Sequence, residues 1–221
     1  DIYDYFDGLE DLGHGRVRFV GDASARIGED VLRLLRFFRF YAHYGRPPPD
    51  AAALAACRAW ADRLPTLSGE RVRVEIFRTL MATDPADVFE LMSGNGVLPH
   101  VLPEAGGVGC LKMLSWIDSR AIHLGSVVPD PVRRLAALLA TDAAGAGRVA
   151  ERLRLSNRQR DRLRAIFAAA RPVGPDQPAL ATARALQHLG AEAVRDLALL
   201  TWAEELDAST RQPRGRNAQW V

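Results

Sequence analysis

The sequence predicts an all-α protein, and three kinds of observation predict it. Apolar residues crowd helical faces. They are densest at Val31, Leu32, Leu34, Leu35, Phe37, Phe38, Phe40 and Tyr41, which cover more than the single stripe of a surface helix. Helix-start devices recur along the chain, at Asp50, Ser68, Asp84-Pro85, Asp130-Pro131 and Ser156-Asn157-Arg158-Gln159. Extended patterning is confined to residues 2–6 and 16–20, near the amino terminus.

In chain order, residues 2–6 read as a short strand, Asp7-Gly8 and Gly13-His14-Gly15 as turns, and residues 16–20 as a second strand before Gly21-Asp22. One long helix follows from about 28 to 44, ended by Gly45 and kept from continuing by Pro47-Pro48-Pro49. Asp50 caps a helix over 51–64, which Pro65 closes, and Ser68 caps another over 69–82. Asp84-Pro85 starts a helix over 86–95 that Gly96 ends, and Leu98-Pro99 with Leu102-Pro103-Glu104 marks a connection. Helices over 108–124 and 132–140 come next, and Gly145-Ala146-Gly147 reads as a break. Ser156 to Gln159 is a capping box opening a helix to about 170. A Pro/Gly-punctuated linker over 171–178 leads to helices over 179–189 and 191–206, with a frayed end from Ser209.

At 221 residues and 48% hydrophobic content the chain can bury a core. No apolar run approaches the roughly 18 residues of a membrane span, and no basic-then-apolar leader opens the sequence, so a cytoplasmic protein is expected. Cys57 and Cys110 lack metal-ligand spacing and lie in apolar helical contexts, which makes them small buried residues. His14, His43, His100, His123 and His188 are scattered and form no metal-hydrolase pattern. A net charge of +2 points to no partner by itself. The distribution is more informative: Lys112 is the sole lysine, and arginines gather over 26–78 and again over 148–171. Guanidinium forks suit phosphate recognition and stacking on bases, although a GC-rich genome also favours arginine over lysine.

Glu29 and Asp30 stand in the first turn of the predicted long helix, where its dipole favours anions. Glu29 is spaced i, i+4 from Arg33 and Asp30 i, i+3, so plain salt bridges account for the pattern. Turned into a cleft, the same pair can do more. Cytosine and adenine both offer an amino donor beside a ring-nitrogen acceptor, which suits a carboxylate beside a guanidinium. Uracil and guanine reverse that order and would leave charged groups unpaired. Arg36 and Arg39 can contact phosphate or pair with Glu70 or Glu75.

Three blocks stand in a distinctive order and spacing: Asp4-Tyr5-Phe6-Asp7-Gly8-Leu9-Glu10-Asp11-Leu12, Arg16-Val17-Arg18-Phe19-Val20-Gly21-Asp22, and Arg26-Ile27 followed by Glu29-Asp30-x-x-Arg33. With Leu67-Ser68-Gly69-Glu70-Arg71 downstream, they closely resemble the bacterial class II tRNA nucleotidyltransferases, the CCA-adding enzymes and their poly(A) polymerase relatives. The resemblance covers residues 1 to 104 and becomes a general likeness to the family's helical body and tail beyond.

It implies an elongated all-α arrangement: a remnant strand and hinge of a catalytic head over 1–22, a nucleotide-selecting, RNA-binding neck over 23–83, a body over 84–145 and a tail over 146–221. It also implies that Asp30 and Arg33 select CTP or ATP for addition to a tRNA 3′ end, with Glu29 orienting Arg33. Asp4, Gly8 and Asp11 fall in the hinge, where relatives carry two glycines in place of Asp7-Gly8, a departure that stiffens the loop.

Phosphoryl transfer in such an enzyme uses Mg²⁺ held by closely spaced carboxylates beside a Gly-Ser turn. Neither block occurs before residue 22, so this chain alone is expected to be inactive, with no metal site and no catalytic residue of its own. Arg148, Arg152, Arg154, Arg158, Arg160, Arg162, Arg164 and Arg171 face only Glu151 and Asp161, and read as a surface tracking the tRNA backbone or as a solvated helix face. Poly(A) addition, or a free-standing RNA-binding module without catalysis, are the alternatives.

Overall fold

A computed structural model describes residues 3–121, 127–168, 174 and 178–211, and no strand occurs among them. The helices are α1 (Gly8–His14), α2 (Ala23–Glu29), α3 (Leu32–Tyr44), α4 (Ala51–Trp60), α5 (Gly69–Leu80), α6 (Pro85–Gly94), α7 (Leu98–Val101), α8 (Gly109–Trp116), α9 (Pro131–Leu138), α10 (Ala143–Arg152), α11 (Asn157–Ala168) and α12 (Ala179–Arg211). A 3₁₀ turn (Ala61–Thr66) follows α4, and a π turn (Ile117–Ala121) continues α8. No helix among the described residues is long and apolar enough to cross a membrane. The all-α expectation holds, while the strands expected over 2–6 and 16–20 are absent from the described residues, where no partner strand offers a ladder.

The amino-terminal segment is more ordered than its turn-rich sequence suggests. The two oxygens of Asp4 accept from the amides of Phe6, Gly8 and Leu9, which satisfies donors that the start of α1 leaves open. Those hydrogen bonds hold the Asp4 carboxyl below its ordinary range. Gly15 ends α1 at φ 67°, and a Cβ there would sit 2.5 Å from Arg46 Cγ, so glycine is required twice over.

Contacts divide the chain into two compact units, Asp1–Pro103 and Glu104–Val221. In the first, α3 packs on α5 and α2 on α4 around Ile27, Leu34, Phe38, Ile76, Leu80 and Phe89. Cys57 lies in this core, and burial pushes its thiol up to about 12, which makes it inert at neutral pH.

In the second unit, α8 packs on α9 and α12, and α10 on α11. Its core includes Leu111, Leu114, Leu135, Val149, Leu163 and Leu197, and also the fully buried Arg134, which forks onto Asp118 at 2.6 and 3.1 Å. The glycines expected to break the chain at 145–147 lie inside α10. Asp142 caps the Gly145 amide at 2.7 Å, and the small residues let that turn pack close to Thr141. Gly190, at φ 79° and ψ 162°, divides α12 at the place where the sequence separates two helices. The capping box is present: Gln159 N donates to Ser156 Oγ and Ser156 N to Gln159 Oε1. Ser209 remains helical, its hydroxyl donating to the Leu206 carbonyl, whereas the readings for residues 1–2, His123, Arg171, most of the 171–178 linker and the end beyond 211 fall outside the described residues.

Candidate functional site

A helix break places Asp30. Its backbone is extended, at φ −155° and ψ 105°, so α2 stops at Glu29 and α3 begins at Leu32. The single helix expected from 28 to 44 is therefore two. Glu29 closes the first and Asp30 caps the second, its Oδ1 accepting the Leu32 amide at 3.2 Å. Arg71, projecting from α5, holds the same carboxylate, with Nη2 at 2.9 Å from both oxygens. Partial burial acts to raise the Asp30 carboxyl, but the Leu32 amide and Arg71 outweigh it and bring it below its ordinary value. Asp30 is thus ionised at neutral pH and can only accept hydrogen bonds.

Arg33 is fixed at one end of its fork. Nη1 donates to Glu29 Oε2 at 2.5 Å and to the Arg26 carbonyl at 3.1 Å, while Nη2 and Nε have no protein partner among the described residues. Glu29 is clamped between Arg33 and Arg26 Nη1, and hydrogen bonds from both, Arg33 first, lower its carboxyl. The segment carrying these groups is anchored from behind. Trp60 Nε1 donates to Ser24 Oγ at 2.8 Å, and a Cβ on Gly28 would lie 3.2 Å from the Trp60 ring.

Arg33 opens onto a cavity of about 250 Å³ lined by Arg18, Arg26, Arg33 and Arg36, with Phe19 and Phe40 among its apolar walls. Asp11 orients Arg18, its Oδ2 lying 2.6 Å from Nε, and pairs with Arg16 through Oδ1. Arg36 lines the cavity and also approaches the buried Glu75 at 3.5 Å. Arg39 pairs with the buried Glu75 at 3.0 Å and is not an open cation. Sequence reading named Glu29, Asp30 and Arg33 but did not place Arg18, Arg26 or Arg71 beside them. The signal for Arg71 was its position in the Leu67–Arg71 block, without a role attached.

Residues 49–106 match the family described as "Probable RNA and SrmB- binding site of polymerase A". The chain is 40% identical over 145 residues to the mitochondrial CCA tRNA nucleotidyltransferase 1 of Danio rerio, covering 64% of this chain and 32% of the relative. It is 37% identical over 106 residues to the CCA-adding enzyme of Leuconostoc mesenteroides, covering 46% and 26%. Its fold is similar to a solved CCA-adding enzyme in apo form II, with a TM-score of 0.67 over 97% of this chain and 54% of that one, at 16% identity. It is also similar to the Thermotoga maritima CCA-adding enzyme complexed with tRNA, with a TM-score of 0.59 over 94% and 53%, at 16% identity. Over the matched residues the chain is similar to CCA-adding tRNA nucleotidyltransferases, and residues 49–106 to a segment of polymerase A. It spans about a third of the length of the first curated relatives it matches, 32% and 31% for the fish and human enzymes.

The chain carries a second arginine-rich region on α10 and α11, and the fold sorts its arginines. Arg162 is inward, with Nε 2.6 Å from Asp196 Oδ2 and Nη1 2.9 Å from Asp130 Oδ2. Burial works to lower its pKa, but Asp196 and Asp130 prevail and raise it. Arg152 is tied to Glu104, and Arg160 to its neighbour Asp161. Arg148, Arg154, Arg158 and Arg164 are exposed, Arg158 meeting Glu192 in a loose pair at 3.2 Å. Among the described residues, no group of three or more His, Cys, Asp or Glu is placed to hold a metal ion.

Proposed function

We propose that this chain is the nucleotide-selecting and RNA-binding portion of an enzyme that adds CMP and AMP, from CTP and ATP, to the 3′ end of tRNA. One observation carries the reading: an ionised Asp30 fixed by Arg71 sits three residues before an Arg33 whose Nη1 is fixed and whose Nη2 and Nε remain to donate. A carboxylate takes the amino group of cytosine or adenine, the guanidinium serves the ring nitrogen, and Glu29 keeps the guanidinium in orientation. The arginine-lined cavity suits the triphosphate. Residues 23–83 act as the neck, 84–145 as the body and 146–221 as the tail. The exposed Arg148, Arg154, Arg158 and Arg164 follow the tRNA backbone as a phosphate-tracking surface. The transfer step, with its Mg²⁺, belongs to carboxylates other than those described. The compartment follows the tRNA, cytoplasmic by the sequence reading.

The test is Arg33→Ala in the full-length enzyme, acting on tRNA that lacks its 3′ end. Incorporation of CMP should fall about 10- to 100-fold, the worth of a hydrogen bond to a charged donor, and discrimination against UTP should narrow. Unchanged selectivity would return Glu29, Asp30 and Arg33 to a structural cluster. The match to a polymerase A segment favours poly(A) addition as the second reading. Robust tailing with ATP alone, and no CMP uptake from CTP, would select it.

A further inference from the structure

We infer that a second cavity, between α3 and α5, binds one unpaired nucleotide of the RNA being extended, an inference that rests on the RNA-extension reading above. The cavity measures about 440 Å³ and is lined by Phe40, His43, Tyr44, Phe77, Arg78 and Met81, with Arg39 at its edge. Phe40 also walls the 250 Å³ cavity beside Arg33, so the two spaces meet at one ring.

The lining has two chemistries. Phe40 is 44% exposed and Tyr44 56%, an unusual amount of open aromatic surface for neighbouring residues on one helix. Their ring centroids lie 6.3 Å apart, and the Arg39 guanidinium lies over one face of the Phe40 ring, 4.3 Å from its centroid, which steadies that ring. The charged part is Arg78, an exposed guanidinium with no ion pair among the described residues, whereas Arg39 is neutralised by Glu75. The wall between them is held: His43 Nε2 donates to the Arg78 carbonyl at 2.9 Å, linking α3 to α5 across the cavity.

Aromatic faces beside an unneutralised guanidinium are what a splayed base and its phosphate need. The volume lies within the range of single small-ligand sites, which admits one nucleotide and excludes a duplex. An apolar protein partner would cover the rings and strand Arg78, so the charge favours RNA.

The experiment measures binding of the full-length enzyme to a short single-stranded RNA carrying 2-aminopurine near its 3′ end, with wild type, Tyr44→Ala and Arg78→Ala. Tyr44→Ala should weaken binding at least about fivefold and abolish the stacking quench of 2-aminopurine. Arg78→Ala should weaken binding and reduce the slope of log K against log salt by about 0.7, the single-strand value for one phosphate. Both side chains are exposed, so thermal midpoints should not move, and CTP and ATP affinities should stay at wild-type values. Equal RNA affinity and quenching in all three proteins would overturn the inference. So would saturation of the same signal by free ATP, which would make the cavity a mononucleotide site, or a change in self-association with RNA affinity unaltered, which would make it a protein contact. Arg33→Ala, measured alongside, separates the two readings: it should change base choice and leave RNA affinity intact, and its failure to do so counts against the selecting site alone.

Discussion

Asp30 caps α3 and at the same time stands ionised three residues before Arg33, and one guanidinium nitrogen from α5 supports both conditions. Because Arg71 Nη2 alone touches both carboxylate oxygens at 2.9 Å, a lysine ammonium can reproduce much of the contact. Arg71→Ala in the full-length enzyme should therefore lower CMP incorporation about tenfold, the order of a charge-assisted hydrogen bond, while Arg71→Lys restores most of it. Equal activity of the alanine variant and wild type, measured as kcat/KM for CTP, would show that Asp30 needs no support. This contact was not legible in the sequence, since its partners lie 41 residues apart and no local period joins them. The Glu29–Arg33 pair was legible, because i, i+4 spacing survives even across a helix break two residues wide.

At the scale of elements, the cap signals held in part: Ser68 stands at the start of α5 without a side-chain cap hydrogen bond. Asp50, Asp130 and Ser156 cap the helices they were expected to cap, each with a side-chain hydrogen bond. The break at Asp30 was hidden because apolar residues continue through it, and burial pattern alone does not record a backbone that turns extended for one residue. Likewise Arg162 belonged to a basic run in sequence but became an interior partner of Asp130 and Asp196 once α11 and α12 packed.

Burial separates the ion pairs that matter for stability from those that do not. Asp118 and Arg134 are both fully buried, so Asp118→Ala, which strands a guanidinium in the core, should cost about 3 to 5 kcal/mol. Arg158, 82% exposed in its pair with Glu192, should cost less than about 1 kcal/mol as Arg158→Ala. Urea denaturation of both variants checks the contrast, and comparable midpoints would refute it.

Across the whole molecule, the work divides between two compact units. The proposed base-selecting and stacking residues lie in Asp1–Pro103, and the exposed arginines of α10 and α11 lie in Glu104–Val221. The all-α class was readable from caps and helical periodicity, while the boundary between units lies in the Leu102-Pro103-Glu104 connection, which the sequence marked only as a join. Selection of the base by Asp30 and Arg33 is tested most directly by the ratio of CMP to UMP incorporated by Asp30→Asn in the full-length enzyme. A carboxylate can only accept, whereas a carboxamide can turn its NH₂ toward the uracil carbonyl. The ratio should fall by at least about tenfold, with UMP joined to tRNA where wild type rejects it. A ratio equal to that of wild type would contradict protein-directed base selection at Asp30.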